Sequence, residues 1–318
     1  MKILITGGGG FIGSHLTARL LEEGHSITAI DIANTGKVKE FLQDSNYNYI
    51  KDSVMNRKII DELAGKTDVI VHLASICRVK EYINRPEEVI TINVLGTKNI
   101  LEAARKHGCK VIYASSSEIY GKNKHPPFKE DDNRLLGPTS DPRWSYSTSK
   151  ACAESLCFSH MKKGVDCRIL RYFNVYGPKL DKVGEGRVIS SMIGDLLKKN
   201  IIKVTGDGLQ TRSFIYIDDA IDATYEAIIR ETAKNKVFNI GTEDEITMEE
   251  LSRKIMALSK KDPETRFVSK KEFLGRDYDD VPRRAPDNTC MKEVLGVKPK
   301  ISLDEGLKRT YEWFRKQR

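Results

Sequence analysis

A chain of 318 residues, 39% hydrophobic and 31% charged, is long enough for one large α/β domain with a smaller one beside it. Its net charge of +8 comes from Lys and Arg spread among 45 acidic residues, which favours a mixed-charge surface over a nucleic-acid interface and suits an anionic small molecule. No apolar run approaches the roughly 20 residues of a membrane span, the N-terminus lacks a signal-peptide layout, and the six cysteines form no C-x-x-C pair. We therefore expect a cytoplasmic protein with reduced thiols, no metal site, and no membrane or nucleic-acid partner.

Short β-branched runs alternate with helical stretches, a pattern typical of a parallel sheet covered by helices. The predicted strands are Lys2–Thr6, Ser26–Asp31, Asn48–Lys51, Asp68–Leu73, Lys110–Ser115, Cys167–Phe173 and Lys236–Ile240. The alternation weakens after about Gly177. We predict a nucleotide-binding domain over residues 1–177, joined again by segments around 212–242, and a smaller substrate-binding lobe over most of 178–318.

The first predicted strand leads directly into ITGGGGFIGSH, in which a helix is predicted to begin at about Phe11. Gly7, Gly10 and Gly13 form the pattern G-x-x-G-x-x-G across this turn. Residues without a Cβ let a pyrophosphate approach the helix N-terminus, where free N–H groups favour negative charge. The second strand ends in Asp31, whose carboxylate can bind both ribose hydroxyls and would repel a 2′-phosphate. The sequence therefore predicts NAD rather than NADP. Asp52 is a candidate contact of the adenine amino group, or else a surface-loop aspartate.

Tyr146 and Lys150 lie four residues apart in WSYSTSKACAES, a stretch with helical character, so both lie on one helix face. A nearby ammonium group stabilises tyrosinate and would lower the phenol pKa from its reference value of about 10. We interpret the pair as a base that works near neutral pH. Upstream, the fifth strand ends in hydroxyls and a carboxylate, Ser115–Glu118, which is poor material for a packed core.

These and further motifs resemble the extended short-chain dehydrogenase/reductase family, in its branch of nucleotide-sugar epimerases, dehydratases and decarboxylases. They are TGGGGFIGSH, HLAS, NVLGTKN, SSSEIYG, YSTSK, RYFNVYGP and GDGLQTRSFIYIDDA, and they span nearly the whole chain. The resemblance implies a Rossmann-type, doubly wound parallel sheet with a smaller α/β C-terminal lobe, a tightly held NAD, and a nucleoside-diphosphate sugar as substrate. It also implies cofactor contacts at Gly7, Gly10, Phe11, Ile12, Gly13, Asp31, Asp52, Ser53, Leu73, Ala74, Ser75, Asn93, Ser115, Tyr146, Lys150 and Tyr172.

The resemblance further assigns the groups around the sugar. Ser116 matches the catalytic Ser/Thr that binds the sugar 4-hydroxyl, Tyr146 matches the general base, and Lys150 matches its partner at the nicotinamide ribose. In the shared first step, the base takes the 4-hydroxyl proton while the C4 hydride moves to NAD, which leaves a 4-keto sugar. The positions that match substrate contacts are Ser116, Tyr146, Asn174, Val188, Arg212, Arg276, Asp280 and Arg284. The match of Arg276 and Asp280 is approximate, within one residue of spacing.

The fate of the 4-keto sugar separates the possible activities, and Ser117-Glu118 is the ambiguous feature. A 4-epimerase needs no further acid or base, whereas a 4,6-dehydratase typically carries Asp-Glu at this place. Ser117-Glu118 also resembles UDP-glucuronate decarboxylases, whose 4-keto acid readily loses carbon dioxide, and Arg284 stands where those enzymes carry an arginine. The wider motifs look most like UDP-hexose or UDP-hexuronate 4-epimerases. We predict a 4-epimerase, with decarboxylase as the alternative and dehydratase as a third possibility. A binding protein that senses NAD without turnover is disfavoured, because such proteins of this fold typically lack the Tyr/Lys pair, which is present here.

The resemblance also implies a homodimer formed through the helix after NRP and the helix that carries Tyr146. The candidate interface residues are Val89, Ile92, Ile100, Ala103, Cys152, Leu156 and His160. Two polar residues are expected to be structural. His72 would pack beside the cofactor glycines, and Asp218 would cap the first turn of a helix that begins at IDDA, residues 217–220.

Overall fold

The computed structural model describes five stretches of the chain, residues 1–181, 186–259, 262–269, 271–272 and 281–317. Its strands are β1 (Lys2–Thr6), β2 (Ser26–Asp31), β3 (Tyr47–Lys51), β4 (Val69–His72), β5 (Lys110–Ser116), β6 (Cys167–Tyr172), β7 (Ile201–Thr205), β8 (Thr211–Ser213), β9 (Val237–Ile240), β10 (Glu245–Thr247), β11 (Glu264–Val268) and β12 (Arg283–Arg284). The described helices are α1 (Phe11–Glu22), α2 (Arg57–Ala64), α3 (Val79–Asn84), α4 (Pro86–His107), α5 (Ser145–Met161), α6 (Val188–Lys199), α7 (Ile217–Ile229), α8 (Met248–Met256), α9 (Thr289–Val294) and α10 (Leu303–Lys316).

Seven strands form the main sheet, in the order β3-β2-β1-β4-β5-β6-β9. Every neighbouring pair in this sheet is parallel, which requires crossover connections between sequential strands. The strand order reverses between β1 and β4, so the carboxyl ends of these two strands border the crevice in which doubly wound folds bind ligands. The predicted Rossmann-type fold is confirmed.

Side chains that alternate along each strand give the main sheet two apolar faces. In β1, Ile3 and Ile5 pack into one core, and Leu4 points the other way into the second. The first core includes residues of α1, α6 and α7, and the second includes residues of α2, α4 and α5. Because both faces are covered, β1 reads as an uninterrupted apolar run rather than as an alternating one.

The long helix α4 has sequence signals at both ends. Pro86 occupies its first turn together with Glu87 and Glu88, where carboxylates favour the positive end of the helix dipole. It ends at Gly108, whose φ of 74° lies in the left-handed region that glycine adopts without strain. Within the described ranges, no helix, α4 included, combines the length and apolar character needed to cross a bilayer.

Two small sheets lie beside the main one. β8 pairs with β10 in antiparallel and with β12 in parallel orientation, and β7 pairs in parallel with β11. The sequence analysis predicted none of these strands, since segments of two to five residues leave little alternation to recognise. The division of the chain at residue 177 stays a prediction.

Burial corrects the predicted dimer surface. Helices α4 and α5 pack against each other, and four of the candidate residues are buried within the chain itself: Val89, Ile100, Ala103 and His160. They face inward because each helix covers the sheet with its apolar side, so their assignment to an interface was wrong. The exposed large apolar residues on these helices are Ile90, Leu95 and Phe158. Homodimerisation itself stays a prediction.

The two polar residues expected to be structural differ in outcome. His72 is 2% exposed, and its ring contacts two threonine hydroxyls, so the packed role is confirmed. The predicted cap at Asp218 is wrong, because Asp218 lies inside the first turn of α7 and no side chain caps that helix. The neighbouring Asp219 accepts hydrogen bonds from the backbone N–H groups of Lys300 and Ile301, both at 3.0 Å, and thereby ties α7 to the segment before α10.

Candidate active site

The glycine turn after β1 leads directly into α1, whose N-cap is Gly10. No side chain caps this helix, and its first turn contains no acidic residue. The first-turn N–H groups, including those of Phe11 and Ile12, therefore form a positive helix end that suits an anionic group. This donor set fits the pyrophosphate of a dinucleotide.

Gly7 and Gly13 are required by close packing at this turn. Gly7 has a φ of +70°, and a Cβ on it would lie 2.7 Å from the backbone nitrogen of Ala74. A Cβ on Gly13 would lie 2.5 Å from the carbonyl oxygen of Gly7. The end of β1, the start of α1 and the segment after β4 thus meet at backbone distance, which places the positive helix end in the cofactor crevice.

We expect Gly13→Ala to lower the free energy of unfolding by about 1–3 kcal/mol and to weaken NAD binding. The added methyl group would meet backbone atoms of Gly7 and Gly8, which can yield only if α1 moves away from β1. Thermal unfolding and NAD titration measure the two effects. Gly36→Ala is the control, since a Cβ there meets nothing within 4 Å. Equal stability and NAD affinity in the two variants would contradict this expectation.

Asp31 is held beside the glycine turn, as its predicted role requires. Its carboxylate accepts hydrogen bonds from the N–H groups of Gly9 at 3.0 Å and Ala33 at 2.9 Å, which orient it at the end of β2. The carboxylate of Asp52, unlike that of Asp31, forms its hydrogen bonds within its own turn. Its oxygens accept from Ser53 N at 2.6 Å and from Asn56 Nδ2 at 2.9 Å, so it stabilises the turn before α2. Contacts of Asp52 and Ser53 with adenine stay predictions.

The segment after β4 forms a second wall of the crevice and contains the predicted contacts Leu73, Ala74 and Ser75. Asn93 of α4 fixes this wall: its Oδ1 accepts from Ile76 N at 2.9 Å, and its Nδ2 donates to Ser149 Oγ at 3.0 Å. Asn93 is 2% exposed. Asn93 therefore supports this wall, and its direct contact with the cofactor stays a prediction.

Two hydroxyl groups in the crevice have no hydrogen-bond partner among the described residues, those of Ser75 and Ser115. Unpaired buried hydroxyls are costly, and a polar ligand would satisfy them. The hydroxyl of Tyr172, in contrast, is paired with that of Thr224 at 2.8 Å inside the core, and a contact of Tyr172 with the cofactor stays a prediction. The open helix end, the oriented Asp31 and the unpaired serines together fit NAD.

The C-terminal end of β5 and the first turns of α5 bring Ser116, Tyr146 and Lys150 together. The phenol of Tyr146 hydrogen-bonds the side chain of Ser116. The ammonium nitrogen of Lys150 donates to the carbonyl of Ala114 at 2.8 Å and lies 5.8 Å from the centre of the Tyr146 ring. The helical spacing inferred from the sequence is thus present in the structure.

The surroundings of Tyr146 do not support the predicted lowering of the phenol pKa. Burial raises the pKa of Tyr146 above its ordinary value, and the hydrogen bond with Ser116 only partly opposes this. Burial also lowers the pKa of Lys150 to about 8, so this side chain is still mostly protonated at neutral pH. The expectation was wrong because residue spacing indicates which groups are neighbours but not how far both are removed from water.

Glu118 is a buried carboxylate held by two arginines. Its Oε2 accepts from Nη2 of Arg143 at 2.8 Å, and its Oε1 contacts Nη1 of Arg284. Burial disfavours the charged form, but the two guanidinium groups outweigh it and hold the pKa of Glu118 well below its ordinary range. Sequence reasoning missed Arg143; the available signal was an arginine in the Asp-Pro-Arg-Trp turn, three residues before Tyr146.

Strand pairing places Arg284 opposite Arg212, since β12 runs parallel to β8 in that register. The preceding Arg283 points to the other face, where it binds both carboxylate oxygens of Glu245. The Arg284 side chain is 8% exposed. Its Nε is buried and has no hydrogen-bond partner in the part of the chain that the structure describes. Arg284 therefore has donor capacity for an anion beside Glu118.

Three of the remaining predicted substrate residues, Asn174, Val188 and Arg212, lie in the described part of the chain. Asn174 has a φ of 38° and donates from Nδ2 to the carbonyl of Ser213 at 2.8 Å, while Arg212 is 8% exposed. Val188 is the first residue of α6. Arg276 and Asp280 lie outside the described residues. The structure thus places Asn174 and Arg212 on adjoining elements, as binding of one diphosphate requires.

A Rossmann fold whose crevice holds an uncapped helix end, an oriented Asp31 and a Ser–Tyr–Lys constellation defines an extended short-chain dehydrogenase/reductase. A sequence model of the NAD dependent epimerase/dehydratase family matches residues 3–241, and the chain belongs to this family. Its cofactor is NAD.

Two relatives by sequence are decarboxylases. The chain is 40% identical over 315 residues to the UDP-N-acetyl-alpha-D-glucosaminuronate decarboxylase of Bacillus cytotoxicus, which covers 99% of this chain and 98% of the relative. It is 34% identical over 320 residues to UDP-glucuronic acid decarboxylase 1 of Xenopus tropicalis, covering 99% of this chain and 72% of the relative.

Similar solved structures include 4-epimerases. The UDP-glucuronic acid 4-epimerase of Bacillus cereus, in complex with UDP-glucuronic acid and NAD, has a TM-score of 0.90 at 27% identity and full coverage of both chains. The UDP-glucose 4-epimerase of Thermotoga maritima has a TM-score of 0.87 at 31% identity, covering 100% of this chain and 99% of the other. The fold is thus common to both activities.

Proposed function

We propose that this protein is a UDP-hexuronate decarboxylase, which oxidises the sugar at C4 and then releases its C6 carboxylate as carbon dioxide. The sequence analysis put 4-epimerase first and decarboxylase second. The relatives at 34–40% identity favour the second activity. Arg284, a buried guanidinium with an unpaired Nε next to Glu118, is the observation that supports an acidic sugar as the substrate.

A buried guanidinium with an unused donor is unfavourable unless a ligand completes its hydrogen bonds. The planar fork of arginine matches a carboxylate, whose two oxygens accept parallel hydrogen bonds. Arg284 contacts Glu118, and Glu118 lies two residues after Ser116, so this donor lies close to the place of the reacting sugar. A neutral hydroxymethyl group at C6 would offer this donor one uncharged acceptor, in place of the two charged oxygens of a carboxylate.

When bound, NAD supplies the hydride acceptor for C4 of the sugar. Tyr146 Oη, as the phenolate, takes the proton of the 4-hydroxyl, and Ser116 binds the same oxygen. The resulting 4-keto acid breaks its C5–C6 bond, and the bonding electrons move into an enolate on the C4 oxygen as carbon dioxide leaves. The hydroxyl groups of Ser116 and Tyr146 are placed to stabilise that oxygen. A proton from water at C5 then gives a 4-keto pentose. This ketone is either released, or it regains at C4 the hydride first removed while Tyr146 returns its proton to the C4 oxygen.

The proposal is tested by incubating the purified protein with NAD and each of four compounds: UDP-glucuronate, UDP-N-acetylglucosaminuronate, UDP-glucose and dTDP-glucose. We expect carbon dioxide and a pentose nucleotide from one or both hexuronates, measured by gas release and proton NMR. A product epimeric at C4 that retains its carboxylate would contradict decarboxylation. A 4-keto-6-deoxy sugar from dTDP-glucose would identify a dehydratase.

UDP-hexuronate 4-epimerisation is the second candidate. It is supported by the TM-score of 0.90 to the Bacillus cereus enzyme crystallised with UDP-glucuronic acid. An epimerase for a hexuronate would use Arg284 equally well, so this arginine favours an acidic sugar and the sequence relatives favour its decarboxylation. We also propose that the substrate carries UDP, that the protein is cytoplasmic, and that it forms a homodimer.

A further inference from the structure

Arg143 is a buried arginine to which neither the cofactor site nor the proposed chemistry gives a role. It lies in the short turn Pro142–Trp144 before α5, and its side chain is 4% exposed. Its Nη2 donates to Glu118 at 2.8 Å, and its guanidinium carbon lies 5.5 Å from the centre of the Tyr82 ring. Arg143 therefore lies between a carboxylate and an aromatic ring, both close to the catalytic residues.

Glu118 is shared between Arg143, which binds one carboxylate oxygen, and Arg284, which binds the other. In the proposed function, Arg284 also binds the carboxylate of the substrate. Once a hexuronate is present, the single positive charge of Arg284 faces two carboxylates, so it stabilises the ionised form of Glu118 less than before. The contact of Arg143 involves the other oxygen and does not depend on the substrate.

The ring of Tyr82 connects Arg143 to the catalytic base. It stacks on the ring of Tyr146, with 5.5 Å between centroids and 11° between planes. Ser145 Oγ donates to the carbonyl of Tyr82 at 3.1 Å, which ties α3 to the start of α5. A ring stacked on one side is held in a single orientation, and in that orientation the hydroxyl of Tyr146 meets Ser116.

We propose that Arg143 is a positioning residue with two tasks: it keeps Glu118 in place as a carboxylate when Arg284 also binds the substrate, and it holds the Tyr82 ring against Tyr146. The inference rests on the proposed decarboxylase function, because only an acidic sugar brings a second carboxylate to Arg284.

The charges that face Glu118 support the first task. Burial disfavours its ionised form, and Arg143 and Arg284 together overcome this. Tyr146 of α5 also faces Glu118, but its protonated phenol carries no charge that could stabilise the carboxylate. With Arg284 engaged by the substrate, Arg143 is the cation that keeps Glu118 ionised. Without Arg143, burial would raise the pKa of Glu118, and the protonated form would persist to higher pH.

The test compares Arg143→Met and Arg143→Lys with the wild type as holoenzymes. The pH profiles of kcat and KM for carbon dioxide release are measured on the hexuronate that the wild type accepts. We expect Arg143→Met to move the acidic limb of the kcat profile up by about 1–3 pH units. Arg143→Lys keeps the charge and should leave that limb in place, while its plateau kcat falls because lysine lacks the planar contact with Tyr82.

A matched control is Arg168→Met, which removes another fully buried arginine. The guanidinium of Arg168 donates to the carbonyls of Ala227 at 2.8 Å and Arg230 at 2.6 Å, away from the cleft. Loss of a buried arginine alone should lower the unfolding temperature without moving the acidic limb. If Arg143→Met does not fold, Arg143→Gln provides the neutral variant.

The outcomes are separable. A neutral variant at Arg143 whose acidic limb coincides with that of the wild type would overturn the first task. An Arg143→Lys plateau equal to that of the wild type would overturn the second. If the wild-type protein releases no carbon dioxide from either hexuronate, the decarboxylase proposal itself is refuted. The wild-type assay is therefore done before any variant is compared.

Discussion

Tyr146→Phe should lower kcat by about 10²–10⁴-fold and leave NAD binding nearly unchanged. The substitution removes one oxygen, the only atom of the side chain that can take the proton of the sugar 4-hydroxyl. The ring that stacks on Tyr82 remains, and so does the buried volume at this position. Initial rates with saturating UDP-hexuronate, together with titration of NAD by fluorescence, measure the two quantities.

A suitable control for Tyr146→Phe is Tyr225→Phe, which removes a phenol from α7 that stacks with His25. We expect that variant to turn over at the wild-type rate. A Tyr146→Phe enzyme that retained more than about a tenth of the wild-type kcat would show that another group accepts the proton. Loss of NAD binding, on the other hand, would show that the phenol matters mainly for the cofactor.

Features that depend on neighbouring residues could be predicted from the sequence. The strand, glycine turn and helix between Lys2 and Glu22 follow one another directly, so the nucleotide crevice could be located from composition and order. Tyr146 and Lys150 share a helix, and a spacing of four residues is enough to place them on one face. Both predictions needed no knowledge of the tertiary structure.

Features that depend on contacts between distant segments could not be predicted in this way. Arg143 meets Glu118 across 25 positions of sequence, and Arg284 reaches the same carboxylate from a strand of two residues. That strand exists because it pairs with β8, and its two residues have no periodicity of their own. The role of Glu118 therefore stayed ambiguous until the two arginines were seen around it.

The extent to which side chains are buried could not be predicted from the sequence either. The apolar positions of α4 and α5 gave a plausible dimer surface, yet Val89 and Ile100 are fully buried, because these helices cover the sheet. The phenol of Tyr146 has an ammonium group nearby, and its pKa is nonetheless raised, because its surroundings exclude water. A pattern of residue types indicates that two groups can interact, but the balance between their attraction and their desolvation depends on the folded structure.

We expect Arg284 to distinguish an acidic sugar from a neutral one. Its guanidinium is buried against Glu118, and it has an Nε donor that the described chain does not use. A hexuronate carboxylate would offer this donor a charged acceptor, whereas a hydroxymethyl group would offer only an uncharged one. Removal of this side chain should therefore weaken the interaction with one class of substrate and spare the other.

We expect Arg284→Met to lower kcat/KM for a UDP-hexuronate by about 30- to 5,000-fold, which corresponds to the roughly 2–5 kcal/mol lost when one member of a buried charge pair is truncated. Binding of UDP-glucose, measured by calorimetry, should change far less, because its C6 group is uncharged. Arg283→Met is the matched control, since the guanidinium of Arg283 binds Glu245 on the opposite face of the same strand. An equal loss of affinity for both sugars would mean that Arg284 binds the nucleotide part of the substrate, and the choice of an acidic sugar would then have to reside elsewhere in the cleft.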